Sequence, residues 1–449
     1  MDTIRGKLQE SNLVLSDEAI ELLTQLEERG HLFLGWPDSE RPANWFSWFP
    51  EDIPRQRSTA IVSSRLGRKL DEFDSLFRVV RAALTQLNPL AQNVLTVDGT
   101  TMQSVLKRGC ELFGIPRLSV QVARREQTID AWASHVLAQG AKHKTACYLS
   151  PEMNQVAKLP PLRDRVEVLE SDQLVALHVR PNGNLHRLLI HRLREQSNSR
   201  TFVALGDGQL VPNELANELM EAGAIGWYLW NQQRDEQEST LRLGESQRPK
   251  APILDKFDDQ DAYLVHCTRR ADGAWPDQDE EAYLDELILG DVARDRSSFA
   301  AISRIVGMQK LLATCTSVRG VQPVVSFTAV PLGAISTLRV FRAHRGRWDF
   351  EPYGVAIHRD VLRPLGARPV TYGNEETWKS LSPDDRAYFQ KVGDEDNSID
   401  WRVEKEWRVE GDVNLSELNA SQVRVFVPTL AEAERIAEFS RWPVITTKS

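Results

Sequence analysis

The sequence predicts two domains: a doubly wound α/β domain with a mostly parallel sheet, then an α+β domain. Three observations carry this. The chain has 449 residues, and one hydrophobic core rarely grows past about 250–300 residues. From residue 59 to about residue 230, short apolar runs alternate with amphipathic stretches, the pattern of parallel strands joined by crossover helices. A polar, charged stretch at 231–252 then leads into a region of several short strands around few helices.

Composition excludes some classes. Hydrophobic content of 41% and charged content of 27% are ordinary for globular domains. No apolar run approaches the roughly 18–20 residues that span a bilayer. Met1–Glu10 is polar and mixed in charge, unlike a signal peptide, so a cytoplasmic protein is expected with no membrane partner. A net charge of −9 argues against nucleic-acid binding by the whole chain but leaves room for a local basic patch. Cys110, Cys147, Cys267 and Cys315 lack metal-ligand spacing and read as buried reduced thiols. No metal is predicted.

Residues 1–57 read as a helical and aromatic extension. Ser16 caps a helix that Gly30 ends, and Trp36–Pro54 is too apolar for a free linker. Residues 58–232 form the α/β domain. Its expected strands are Thr59–Ser64, Val94–Val97, Leu118–Val122, Thr145–Leu149, Leu174–Val179 and Thr201–Leu205. Its expected helices are Arg68–Leu87, Met102–Phe113, Ile129–Leu137, Leu185–Arg194 and Asn213–Trp230. Residues 233–256 are the linker. In 257–449 the expected strands are Ala262–Cys267, Pro323–Thr328, Tyr353–Ile357, Arg368–Tyr372, Glu404–Val409 and Val423–Val427. Helices are expected at Glu280–Leu289, Ser298–Thr314 and Leu430–Phe439, the last closing the chain.

Ligands of doubly wound sheets sit outside the carboxyl ends of the strands. Three such ends here are small and polar: Ser63-Ser64-Arg65-Leu66-Gly67, Asp98-Gly99-Thr100-Thr101 and Arg180-Pro181-Asn182-Gly183-Asn184. Backbone N–H groups there can approach a phosphate, and Arg65 or Arg180 can pair with it. Ser64, Arg65, Gly67, Thr100, Thr101, Arg180 and Gly183 are the candidate ligand contacts. Turn chemistry alone also explains such loops. The Ser-x-Arg-x-Gly strand end, with Asp172 and the later Arg180-x-x-Gly-Asn, resembles SLOG-type Rossmann-like proteins. The resemblance implies a Rossmann-like domain sensing a nucleotide-derived ligand. The Pro-Gly-Gly-x-Gly-Thr-x-x-Glu motif of the related LOG enzymes is absent.

In the second domain, three segments put polar groups at or inside strands, which is costly unless those groups are paired or used. They are Val265-His266-Cys267-Thr268-Arg269-Arg270, Val324–Leu332 with Ser326, Phe327 and Thr328, and Val403–Val409 with Glu404 and Glu406. Taken singly, each also reads as ordinary structure: a satisfied histidine, hydroxyls bonded to backbone, a charged edge strand. The run Val325-Ser326-Phe327-Thr328…Pro331-Leu332, then His344, Tyr353–Ile357, Gly366–Tyr372 and Glu404–Arg408, resembles AbiGi-type abortive-infection proteins. That implies phage defence.

A wider resemblance is to ADP-ribosyltransferases. Their split sheet carries a His or Arg on the first strand, a Ser-Thr-Ser or aromatic element on the second and a Glu, often Glu-x-Glu, late in the domain. The resemblance implies an ADP-ribosyltransferase-like split sheet and NAD as substrate. By this resemblance the catalytic residues are Glu406, Glu404 and His266, and Thr268, Arg269, Ser326, Phe327 and Thr328 hold NAD. Glu406 would stabilise oxocarbenium charge at the ribose, with Glu404 aiding the acceptor.

The basic, aromatic stretch 339–350 offers Arg342, Arg345, Arg347 and Trp348 for a phosphate or nucleic-acid acceptor. A salt-bridging surface against Asp277–Glu286 is the other reading. The function expected is a bacterial anti-phage or toxin-type effector whose first domain senses a nucleotide or partner and whose second transfers ADP-ribose to a protein or nucleic-acid acceptor. A homo-oligomer or a defence-system partner fits this reading. A metal-dependent nuclease built on Asp400 and Glu404-Lys405, or a non-enzymatic binding protein, are the alternatives.

Overall fold

The computed structural model describes residues 15–35, 45–51, 56–123, 127–139, 145–149, 160–195, 200–206, 210–228, 249–315, 319, 321–342, 347–392 and 400–447. The chain divides into two compact units. The first is Met1–Asp235 with Leu284–Val292, and the second is Glu236–Tyr283 with Ala293–Ser449. Among the described residues no helix is long and apolar enough to cross a membrane.

The first unit begins with α1 (Asp17–Arg29), whose N-cap Ser16 accepts from the Ala19 amide. A hairpin of β1 (Gly30–Gly35) and β2 (Trp45–Pro50) follows. Then come β3 (Arg57–Ser63), α2 (Asp74–Gln86), β4 (Gln92–Val97), α3 (Gln103–Phe113), β5 (Arg117–Val122), α4 (Ile129–Gln139) and β6 (Thr145–Leu149). The chain continues through α5 (Leu162–Leu169), β7 (Gln173–His178), α6 (Asn184–Glu195), β8 (Arg200–Leu205), α7 (Asn213–Glu221) and β9 (Ile225–Tyr228).

These strands form one nine-stranded sheet in the order β1-β2-β6-β5-β4-β3-β7-β8-β9. From β6 to β9 all neighbours are parallel. The unit is therefore a Rossmann-like, doubly wound domain. The chain winds outward from β3 to β6, then returns to lay β7 on the other side of β3. The switch point lies between β3 and β7, and a bulge there shifts the register between Val62 and Ser63. Buried runs such as Ala60-Ile61-Val62 and Leu174–Leu177 reflect strands covered on both faces.

Three expectations need correction here. Within the segment read as an extension, residues 45–50 form β2, which pairs antiparallel with β6 and extends the sheet of the next domain. The expected helix Asn213–Trp230 stops at Glu221, Gly223 takes φ 112°, and Ile225–Tyr228 becomes edge strand β9. Helix α5 was missed because its apolar positions are interrupted by Arg165 and Glu167, which are themselves buried.

The second unit carries β10 (Ile253–Leu254), β11 (Tyr263–Thr268), α8 (Glu280–Leu289, entering the first unit at Leu284), α9 (Ser298–Met308), β12 (Lys310–Leu311), β13 (Val324–Thr328), β14 (Val340–Arg342) and β15 (Arg347–Asp349). Next are β16 (Tyr353–His358), α10 (Arg359–Leu362), β17 (Arg368–Pro369), β18 (Thr371–Gly373), α11 (Glu375–Ser380), β19 (Phe389–Lys391), β20 (Glu406–Glu410), β21 (Val413–Asn414), β22 (Val423–Val427), α12 (Leu430–Ala437) and β23 (Val444–Thr446). Eight strands make a mixed sheet in the order β10-β23-β22-β16-β11-β13-β20-β17.

The core of this unit lies on the face bearing Leu264, Val325, Phe327, Val355, Ile357, Val409 and Val425, closed by Ile302, Ile436 and Trp442. Burying each such side chain stabilises by about 1.5–3 kcal/mol. Strands β16 and β11 approach so closely that a side-chain carbon at Gly354 would overlap the His266 carbonyl oxygen.

Boundaries again differ from expectation. Gln309 takes a left-handed conformation (φ 54°) and ends α9 at Met308. The segment 368–372 divides between β17 and β18, which join different sheets. The strand expected from Glu404 begins at Glu406, because Trp401–Glu404 is a 3₁₀ turn and Lys405 is left-handed (φ 45°). Helix α12 does not close the chain, since β23 follows it and pairs parallel with β22.

Candidate functional site

At the switch point of the first unit, the loops after β3 and β7 are tied together. The Ser64 amide donates to the His178 carbonyl (2.7 Å). The Arg180 amide donates to Ser64 Oγ (3.0 Å), and the Arg180 guanidinium donates to the Arg65 carbonyl (2.6 Å). Helix α6 starts just beyond, after Asn182 in a left-handed conformation and Gly183. Ser64, Arg65, Arg180 and Gly183 thus gather at one end of the sheet, and Gly67 has open space around it. Burial and the Arg180 charge lower the pKa of His178.

Thr100 is turned elsewhere. Its hydroxyl lies 2.9 Å from the Val97 carbonyl and 3.0 Å from Glu167 Oε1. Burial pushes the Glu167 carboxyl up to about 8. Thr101 is exposed. Asp172 lies at the opposite end of these strands, where it accepts from the Ser58 amide at the start of β3 (2.7 Å). It therefore shares no site with Arg180.

In the second unit, β20, β13 and β11 stand side by side and bring the three polar segments together. Register places Ser326 opposite Arg408 and Thr328 opposite Glu406. All four project from one face. Phe327, Val325, Trp407 and Val409 project from the other, as period-2 alternation requires. Strands β11 and β13 share a single register pair, Val265↔Thr328. His266 therefore lies on the Phe327 face, and the two rings meet edge to face at 5.8 Å. Its Nδ1 sits 2.8 Å from the Ser326 carbonyl. A carbonyl only accepts, so Nδ1 carries the proton and, in the neutral ring, Nε2 is left as an acceptor. Burial, then the Arg269 charge, lower the His266 pKa. His266 and Glu406 thus lie on β11 and β20, with β13 between them, and on opposite faces, so the expected grouping of His266 with Glu406 in one site is corrected.

The Glu406 carboxylate is held by Arg408 through two bonds, 2.8 and 3.0 Å. Arg408, 1% exposed, also donates to the Ala387 and Phe389 carbonyls and to Gln390 Oε1. Glu404 is different. Burial first, then the charges of Glu406 and Asp349, push its carboxyl up to about 7, with Arg342 opposing. Thr328 Oγ1 donates to the Glu404 carbonyl (2.5 Å) and Ala329 N to the Lys405 carbonyl (3.0 Å), which pins the turn. The Tyr372 hydroxyl accepts from the Glu406 amide (3.1 Å). The result is a carboxylate pair whose two members sit in unlike environments.

Beside Glu404 stands the β14–β15 hairpin. Arg342 pairs with Asp349 (2.9 Å), and its guanidinium lies 5.1 Å from the Trp401 ring centroid. Phe341 faces Trp348 across the register. Asp277 is answered by Arg304, so the hairpin's ion pair is internal and not with Asp277. Arg345 and His344 fall outside the described residues. Asp400 accepts from Arg402, and among the described residues no three His, Cys, Asp or Glu gather where they could hold a metal ion. The expectation of buried thiols holds for Cys110, while Cys267 is partly buried and Cys315 exposed. Reading the sequence missed Tyr372, Asp349, Trp401 and Glu167. In the sequence Tyr372 enters only as the end of a resembling run, and Asp349 only as the one acid inside a basic stretch.

No protein-family model matches the chain, and no curated protein does. Among solved structures, DNA processing protein A from Streptococcus pneumoniae is similar over 46% of this chain and 73% of its own, at 14% identity and a TM-score of 0.29. DNA processing protein A from Helicobacter pylori, described for its single-stranded DNA binding mode, is similar over 44% of this chain and 91% of its own, at 12% identity and a TM-score of 0.26. At that level neither likeness carries a function to this chain.

Proposed function

We propose that the second unit is an NAD-consuming, ADP-ribosyltransferase-type effector of anti-phage defence, and that the first binds a nucleotide-derived signal at the β3/β7 switch point. The observation that carries the enzymatic reading is the unlike pair of carboxyls. Glu404 titrates near neutrality, while Glu406 is paired with Arg408. Two carboxyls in divergent environments suit cleavage of a glycosidic bond. The single register pair between β11 and β13 supports a split-sheet reading.

In this reading the nicotinamide–ribose bond breaks and its electron pair returns to the ring nitrogen, so nicotinamide leaves neutral. Glu406 offsets the positive charge that develops at the ribose. Arg408 fixes the Glu406 carboxylate in place. Glu404 in its ionised form takes the proton of the acceptor as the acceptor bonds to the ribose carbon. Tyr372 and Thr328 hold the backbone on either side of Lys405. Arg269, just past the end of β11, would hold the pyrophosphate portion, while His266, on the face opposite Glu406, takes no part in this site.

Incubating the full chain with NAD and measuring free nicotinamide tests the proposal. Release that is lost in Glu406→Gln and slowed in Glu404→Gln supports it. If wild type releases no nicotinamide under any activating condition while toxicity in cells persists, the proposal fails. At the switch point, Ser64, Arg65, Arg180 and the N-terminus of α6 offer donors of the kind that hold a phosphate.

A further inference from the structure

The two aromatic rings of the β14–β15 hairpin are exposed, Phe341 at 49% and Trp348 at 41%. Adjoining exposed apolar side chains, unlike scattered ones, mark a surface that meets a partner. The rings sit 5.4 Å apart, tilted by 59°. Arg339 lies 4.8 Å from the Trp348 centroid, and Arg342 stacks on Trp401. The described residues of the hairpin and its approach carry Arg339, Arg342 and Arg347 against one acid, Asp349, in a chain of net charge −9. Asp349 pairs with Arg342 and, at 4.0 Å, with Arg347.

We infer that this hairpin is a binding platform for single-stranded nucleic acid, presented as the acceptor beside Glu404. Aromatic faces interleaved with arginines suit unpaired bases, because every base has a π-face and every nucleotide a phosphate. A duplex keeps its bases stacked internally and offers these rings nothing to stack on. The hairpin is placed next to the carboxyl by Arg342 and Asp349, whose charges both act on Glu404. The acceptor role rests on the ADP-ribosyl-transfer reading; the binding does not. Transfer would break the ribose–nicotinamide bond and expel neutral nicotinamide. It would form a bond from the ribose C1′ to a base nitrogen or hydroxyl oxygen of the strand, and pass that atom's proton to Glu404.

The test is fluorescence anisotropy of labelled single-stranded oligonucleotides, DNA and RNA, against the full chain. A duplex of the same length serves as the control. The expected result is salt-sensitive binding of single strands, weaker by severalfold between about 50 and about 200 mM salt. The double variant Phe341→Ala, Trp348→Ala should bind about tenfold more weakly or worse, with an unchanged melting temperature as evidence of an intact fold. If that variant melts early, Phe341→Leu with Trp348→Leu keeps the apolar bulk and removes only the stacking faces. No binding of single strands, equal binding of the duplex, or unaltered binding by a folded stacking-deficient variant overturns the inference. Nicotinamide release to water, without nucleic acid, tests the preceding reading separately.

Discussion

Glu406 and Arg408, two residues apart on β20, face the same side of the sheet and join through a two-bond ion pair of 2.8 and 3.0 Å. Arg408 spends its other donors on the carbonyls of Ala387 and Phe389 and on Gln390. One guanidinium therefore anchors the segment 387–390 and orients the carboxylate assigned to the ribose.

Arg408→Ala should destabilise the second unit by about 3–5 kcal/mol, since it strands a shielded carboxylate and two carbonyls. Glu406→Gln keeps an acceptor for Arg408 and should cost less, while abolishing nicotinamide release. Denaturant unfolding and the release assay together separate the two effects. Equal stability of Arg408→Ala and wild type would contradict the anchoring role.

Glu404 predicts a pH profile. Its carboxyl is pushed up to about 7 by burial and then by the Glu406 charge. The proposed proton acceptor is the ionised form, so turnover should rise as pH passes through about 7. Glu404→Gln should be slower and lose that limb. A wild-type rate that is flat from pH 6 to about 8 removes Glu404 from this role.

Thr328→Val removes the hydroxyl that donates to the Glu404 carbonyl and accepts from the Val330 amide. The expected cost is about 1–2 kcal/mol. If Thr328 positions the turn, the pH profile shifts as well, which loss of stability alone would not produce. Thr328→Ser, which keeps the hydroxyl, should restore the profile.

Glu167 predicts a stability effect in the first unit. Thr100 has one hydroxyl proton and two acceptors near it, the Val97 carbonyl and Glu167. A protonated Glu167 donating to the Thr100 oxygen satisfies both contacts, and burial holds its pKa up at about 8. Between 4.5, the ordinary glutamate value, and about 8, the folded chain keeps a proton that the unfolded chain has released. Stability from this group is therefore full below that window and falls as pH rises, by about 1.4 kcal/mol per pH unit. Glu167→Gln keeps a donor and should flatten that slope in urea unfolding measured from pH 5 to about 8.

Much of the fold was legible because it is local. Strands such as Thr145–Leu149 and Val423–Val427 are continuous apolar runs, and α8 is bounded as expected. The faces of Glu406–Val409 follow from the two-residue period of a strand. Glu404 was misplaced because a left-handed Lys405 breaks that period, and nothing in the residue type announces it. Ile225–Tyr228 looked like more helix because a four-residue apolar segment suits either form until it finds a neighbour. Its pairing with β8 decided the matter.

The sequence by itself determined the two-part organisation, the alternating strands and helices of the first part and the order in which His266, Ser326 and Glu406 occur. Tertiary structure decided that their strands are neighbours, that Val265 and not His266 faces Thr328, and that Glu404 lies beside Asp349 and Arg342. The reason is physical. Side-chain period is a property of a few consecutive residues, whereas register and charge environment depend on segments far apart in the chain. A shift of one residue in pairing would turn every side chain on a strand to the other face.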